Sequence, residues 1–333
     1  MKAFGSIRRY GYLAVLLPLL WLQGCQTGGQ TLAMVEAYGD KDYVTVYRLG
    51  EAARKQGELK GVPRYLHAWA LFQLQYYPQA RAEFAAIHRD KPSEFHGWLG
   101  EAWIAIKQRR LDDAERFLKK AEQWMGQHQR PMWYAARGWV AFYRNRLDEA
   151  ERLFDQTEES LYFPDAEYIS IPQGIMRTWN TLPWVGRGWV AVARGRPDEA
   201  RKQFSRGLEH DATCHLCFAG LAAVAESEGK IDKAIEQAVA GLKVSRHDPE
   251  LVGTLNRLLA RRGDLGLSSR IYEELVKTSD GDPMYRANLA WVRVYQGRLE
   301  EAHRLFRQAL EVEPGLYMAK SGLQRVRKAA GQG

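Results

Sequence analysis

The chain lacks long hydrophobic runs. Its N-terminal one, Tyr10 to Leu22, has 13 residues, too short to span a bilayer as a helix, and no second run approaches spanning length. It also lacks Gly/Ser-rich and Pro-rich linkers, which excludes a string of separate globules and predicts one continuous body. Cysteine is scarce: beyond Cys25 only Cys214 and Cys217 remain. No serine stands in a nucleophile-elbow context, and His67, His88, His96, His128, His247 and His303 are scattered along the chain. Asp and Glu are plentiful only where helix starts and exposed faces account for them. The sequence is therefore read as non-enzymatic, with no catalytic residue, cofactor or metal assigned. Strong charge of one sign is missing as well. The net charge of +8 over 333 residues is too diffuse for nucleic acid, but it suits anionic lipid heads, lipopolysaccharide phosphates or acidic partners.

What is present begins at the N-terminus. Lys2, Arg8 and Arg9 form a basic head before the apolar run, the pattern of a secretory signal. Leu22-Gln23-Gly24-Cys25 then resembles the lipobox of bacterial lipoproteins. That resemblance implies cleavage before Cys25 and lipid attachment to its sulfur, leaving a chain of 309 residues with net charge +5. Several acyl chains, at about 0.8 kcal/mol per buried CH2, tether a protein firmly without spanning the membrane. Gln26 stands where an Asp would suggest inner-membrane retention, so the resemblance favours the outer membrane, facing the periplasm. The alternative is a buried thiol after an ordinary signal.

Self-alignment reveals a repeat. Ala80, Ala114, Ala150, Ala200, Ala234, Ser268 and Ala302 are spaced by 34, 36, 50, 34, 34 and 34 residues. The segments 109–118, 145–154, 195–204 and 297–306 echo one another, RRLDDAERFL, NRLDEAERLF, GRPDEARKQF and GRLEEAHRLF. Each reads as a turn and a helix start, with acids favouring the helix N-terminus and a small alanine permitting close approach. Leu118, Phe154, Phe204 and Phe306 follow one turn later. Amphipathic helices precede them at 95–107, 131–144, 182–194 and 283–296, and Pro92, Pro249, Pro283 and Pro314 fall between units. The period and anchors resemble tetratricopeptide repeats over residues 58–315, in seven units. The resemblance implies an all-α, right-handed superhelical solenoid of antiparallel helix pairs. Ser268 and Ala238 depart from the pattern at their anchors, and the spacing of 50 marks an insertion.

The resulting organisation is a signal peptide at 1–24, a lipidated tether at 25–30 and a degenerate helix pair at 31–57 with Val46, Gly50 and Ala53 as anchors. Repeat units follow at 58–157 and 181–315, separated by an aromatic insertion at 158–180. A capping helix and tail occupy 316–333, with Leu316, Ala319, Leu323 and Val326 inward and Lys320, Arg325, Arg327 and Lys328 facing water. The insertion carries Tyr162, Phe163, Tyr168, Ile169, Ile171, Ile175, Met176 and Trp179, so it needs burial, either as padding or as a wall of a groove.

Numbering each unit so that its alanine is twentieth places Trp69, Trp103, Trp139, Trp189 and Trp291 at the ninth position in five of seven units. The eighth residues are Ala or Gly in these units, and the ninth is rotated from them by roughly 100°. In the family, positions two, five, nine, twelve and thirteen line the concave groove. Here they include Tyr65, Phe72, Leu99, Ile106, Met132, Phe142, Tyr143, Met284 and Tyr295, an aromatic and apolar surface. The indoles either stack on a glycan or peptide, or pack between adjacent first helices. Cys214-His215-Leu216-Cys217 opens another first helix, as a disulfide or as two packing thiols; His210 nearby raises a metal site as a weaker reading, and a redox role lacks a βαβ setting.

The whole resembles the tetratricopeptide lipoproteins of Gram-negative bacteria, which include pilotins and envelope adaptors. It implies a scaffold for periplasmic or outer-membrane proteins; glycan binding in exopolysaccharide or peptidoglycan processing is the competing reading.

Overall fold

The computed structural model describes residues 25–89, 94–161, 180–246, 248–279 and 281–329. The signal segment, most of the insertion (162–179), Pro92 and His247 lie outside the described residues. Within them are seventeen α-helices and no strand. They are α1 (Cys25–Gly39), α2 (Tyr43–Lys55), α3 (Gly61–Gln73), α4 (Tyr77–Ile87), α5 (Glu94–Lys107), α6 (Leu111–Glu122), α7 (Arg130–Tyr143), α8 (Leu147–Ser160) and α9 (Leu182–Ala193). There follow α10 (Pro197–His210), α11 (His215–Ser227), α12 (Ile231–Val244), α13 (Pro249–Arg262), α14 (Leu265–Thr278), α15 (Pro283–Tyr295), α16 (Leu299–Val312) and α17 (Tyr317–Ala329). The all-α helix-pair architecture expected from the repeat is thus the observed one.

The turn inside each unit is made the same way. Its residue at position fifteen is left-handed: Gln75, Arg109 and Asn145 at φ 59° to 61°, Gly195, Gly229, Gly263 and Gly297 at φ 70° to 75°. At the first of these turns Tyr76 N–H donates to Leu71 O at 2.8 Å, closing the C-terminus of α3 with a Schellman-type bond. The second helices α6, α8, α10, α12 and α16 start without a side-chain cap but carry acids in the first turn, such as Asp112 and Asp113 on α6 and Glu300 and Glu301 on α16. In contrast, α14 has no such acid and is capped by Asp264, whose side chain accepts the Leu267 N–H at 2.8 Å. First helices of the later units are capped by Asp248 and Asp282, with Pro249 and Pro283 just inside.

A ring-into-gap contact holds successive units together. The aromatic at position twenty-four lies against a glycine at position six of the next first helix: Phe84 on Gly100, Phe154 on Gly186, Phe204 on Gly220 and Phe306 on Gly322. A Cβ at any of these glycines would lie 2.1–2.3 Å from the nearest ring atom. Where position twenty-four is Leu118, position six is Ala136, and both are buried. The anchor alanines Ala80, Ala114, Ala150, Ala200, Ala234 and Ala302 are each 0% exposed, as is Phe84, Phe154, Phe204 and Phe306.

By its internal contacts the chain divides into two compact units, residues 1–190 and 191–333. Helix pairs touch mainly their sequence neighbours, so a repeat chain has no central core to bind distant units into one. In the first body, residues 25–30 are helical as the start of α1, and Gln30 Nε2 donates to Leu49 O at 2.9 Å. Met34, Tyr38, Tyr43, Val46 and Ala53 form the core of this N-terminal pair. In the second body, Asn256 replaces the small residue at position eight. Tyr272 Oη donates to Asn256 Oδ1, and Asn256 Nδ2 donates to Asn288 Oδ1 at 2.8 Å, a polar link between α13 and α15. The capping helix α17 buries Ala319 and Val326 against α15 and α16, while Lys320, Arg325, Arg327 and Lys328 are exposed.

Candidate functional site

The ninth-position tryptophans are placed differently from the groove expectation. Trp69, Trp103 and Trp139 are 1%, 7% and 9% exposed. Trp189 and Trp291 keep intermediate exposure. The indole meets its own unit's position-twenty-four phenylalanine edge to face: Trp69 with Phe84 at 5.0 Å and 72°, Trp139 with Phe154 at 5.7 Å and 72°, Trp291 with Phe306 at 5.7 Å and 76°. The reason is the gap left by small residues at positions six and eight, which the phenylalanine enters and the indole covers. That adds apolar burial and an aromatic pair interaction of about 0.5–1.5 kcal/mol. These ring pairs lie within one unit, while Trp291 also reaches the next first helix, α17, its Nε1 donating to Met318 O at 3.3 Å. Tyr65 and Phe72 are buried beside Trp69, with Phe72 5.3 Å from it edge to face. Phe142 and Tyr143 are half-buried, and Tyr295 is 63% exposed. The guanidinium of Arg109 sits 3.3 Å from the Tyr143 ring centroid.

Cys214 and Cys217 are joined by a disulfide, with sulfurs 2.12 Å apart, and are 2% and 0% exposed. Cys214 Sγ also accepts the Cys217 N–H at 3.1 Å, so the pair caps and staples the start of α11 where later units use aspartate. The neighbouring His215 lies 3.4 Å from Asp248 Oδ2. Among the described residues no group of three or more His, Cys, Asp or Glu is placed to hold a metal ion. No described helix is long and apolar enough to cross a membrane. Cys25 is the first residue of α1.

Two histidines are shifted by their surroundings. His67, 0% exposed, stacks on Tyr47 at 5.9 Å and lies 3.1 Å from Glu51; burial, and then the Arg54 cation, push it down to about 4. His96, edge-on to Tyr65 at 5.1 Å, is likewise lowered to about 4 by desolvation.

The exposed polar face of the second body was not singled out from the sequence. On α13, Arg257 and Arg261 occupy positions nine and thirteen, where α15 carries Trp291 and Tyr295. Both arginines reach Glu226 of α11. Counting positions across every unit, not only those with tryptophan, is the signal that finds them.

Residues 65–128 and 185–249 match one tetratricopeptide-repeat family model, and residues 283–308 match another. Those three stretches carry tetratricopeptide repeats. It is similar in structure to a chain of the APC/C hetero-tetramer Cut9-Hcn1, with 13% identity and a TM-score of 0.50. That match covers 96% of this chain and 57% of the other, so the chain spans little more than half of that relative. YrrB, a tetratricopeptide protein with an unusual peptide-binding site, is similar at 17% identity over 58% of this chain and 91% of its own, with a TM-score of 0.33. No curated protein sequence matches the chain.

Proposed function

We propose that the protein is a non-enzymatic protein-interaction scaffold, tethered through a lipid on Cys25 to the periplasmic face of the outer membrane, where it assists assembly of a pilus, secretion or envelope complex. The observation that carries the scaffold reading is the array of tetratricopeptide helix pairs, an architecture that presents side chains from successive first helices as one binding surface. The tether rests on Leu22-Gln23-Gly24-Cys25 behind a basic head and a short apolar run. Glycan binding is less favoured, because burial of Trp69, Trp103 and Trp139 removes most of the ladder on which a sugar chain would stack.

The test is expression in a Gram-negative host with radiolabelled palmitate, membrane fractionation and in-cell crosslinking. Label in the native chain, loss of label and of outer-membrane recovery in Cys25→Ser, and a reproducible set of crosslinked envelope proteins are the expected results. A Cys25→Ser chain that fractionates and crosslinks like the native one defeats the tether, and an absence of crosslinked proteins defeats the scaffold.

A further inference from the structure

Four successive first helices of the second body, α11, α13, α15 and α17, share one face. Asn256 Nδ2 ties α13 to α15 through Asn288 at 2.8 Å, and Trp291 Nε1 ties α15 to α17 by donating to Met318 O at 3.3 Å. Position nine on these helices reads Ala223, Arg257, Trp291 and Arg325, with Arg261 and Tyr295 at position thirteen of the middle two. The side chains of Arg257 and Arg261 are 55% and 56% exposed, and Tyr295 is 63% exposed. Trp291 and Tyr295 lie 6.2 Å apart at 33°, and the Arg325 guanidinium is 5.9 Å from the Trp291 centroid. The row alternates cation, aromatic, cation.

One carboxylate already occupies it. Arg257 Nη1 donates to Glu226 Oε1, and Arg261 Nη1 lies 3.4 Å from the same oxygen. Glu226 therefore stands where an incoming carboxylate would bind, while more than half of each arginine remains open to solvent. Lys328 adds a further cation at position twelve of α17. Glu250, the nearest acid at a groove position of α13, is seven residues before Arg257, about 10 Å along the helix axis.

Resting on the scaffold reading, we infer that this face docks an extended acidic segment of a partner protein, with one carboxylate between Arg257 and Arg261, an apolar or aromatic residue on Trp291 and Tyr295, and a second carboxylate at Arg325. Adjacent helices pack about 8–10 Å apart and an extended chain rises about 3.3 Å per residue, so each helix spans about three residues of the ligand. The two carboxylates are therefore about six residues apart with the apolar residue midway. The ligand displaces Glu226, which acts as an internal competitor.

The probe is a fluorescein-labelled heptapeptide with glutamates at both ends, phenylalanine in the middle and glycines between. Its anisotropy is followed with the full chain in detergent micelles, against a control with lysines replacing the glutamates. The acidic probe alone binds, more weakly as salt rises. Arg257→Ala with Arg261→Ala weakens it about tenfold, the loss of a charge-assisted contact, and Glu226→Gln tightens it several-fold. Circular dichroism checks that these exposed-site variants keep native helicity. Equal binding of the lysine probe, no binding, or weakening by Glu226→Gln overturns the inference. Tighter binding of alginate at the same arginines overturns the peptide assignment. If the probe fails while the crosslinked protein set persists, this docking site falls and the scaffold reading stands.

Discussion

Phe154 presses its ring against Gly186, leaving no room for a side chain there: a Cβ on Gly186 would lie 2.3 Å from ring atom Cε1. The same ring also meets Gly138 of its own unit, where a Cβ would come within 2.7 Å. One phenylalanine thus closes two helix contacts at once, and glycine is the residue that lets the backbone of α9 approach it.

Gly186→Ala is predicted to destabilise the chain by about 1–3 kcal/mol despite the better helix propensity of alanine, because the ring has to leave a packed site. Phe154→Leu also destabilises on its own, through the cavity it opens. The two changes together recreate the Leu118 and Ala136 combination found at a neighbouring junction, so the double variant should be more stable than additivity gives, by about 1 kcal/mol or more. Urea unfolding of the four proteins measures the coupling; strict additivity would show that ring and glycine do not compete for the same space.

Trp139→Ala should lower stability by about 3–5 kcal/mol, the cost of emptying a buried indole site. Trp291→Ala should cost clearly less, since that indole retains partial exposure. Thermal unfolding by circular dichroism separates the two. Equal, negligible effects would return the tryptophans to the groove surface.

The fold was legible because period and small anchors are properties of chain order: Ala80 to Ala302 mark the helix contacts wherever two helices must approach closely. Helix ends at Pro249 and Pro283 could be read from the missing N–H for the same reason. The direction of the tryptophans was less legible. A ninth-position residue lies beside the packing seam, and whether its ring turns inward depends on the gap beneath it, which Phe154, Gly138 and Gly186 create from three separate stretches of sequence. The arginines of the candidate docking face were hidden by their own class, because Arg257 and Arg261 resemble any solvated helical pair until Glu226 is seen between them. The Cys214 and Cys217 spacing allowed a disulfide without requiring it, and the structure forms one.

Stability should fall as pH is lowered from about 6.5 to 4. The folded state holds His67 neutral down to about 4, whereas an unfolded histidine takes up a proton near 6.5. Below 6.5 the unfolded chain therefore binds the extra proton, and each pH unit costs about 1.4 kcal/mol per such group; above that pH the contribution is fully present. His96 adds a second histidine with the same sign. Urea titrations from pH 7.5 to 4.5 should show this slope and its reduction in His67→Gln, whatever that variant's stability at neutral pH. An unchanged slope in His67→Gln would assign the acid sensitivity elsewhere.

Reducing the Cys214 to Cys217 bond should loosen the start of α11 without creating an enzyme. Both sulfurs are buried, which denies a substrate disulfide access to either thiol. Closing so short a loop contributes about 2 kcal/mol on the chain-entropy model, so the Cys214→Ser, Cys217→Ser double variant should lose about that much. The serine at position 214 can still accept the helix N–H that Cys214 Sγ now accepts, which isolates the cross-link from the cap. Thiol labelling of the pair in native, unreduced protein should be absent and should appear only after reduction and unfolding. Rapid labelling of the native protein under mild reductant, together with insulin reduction lost in the double variant, would instead make this pair a working dithiol.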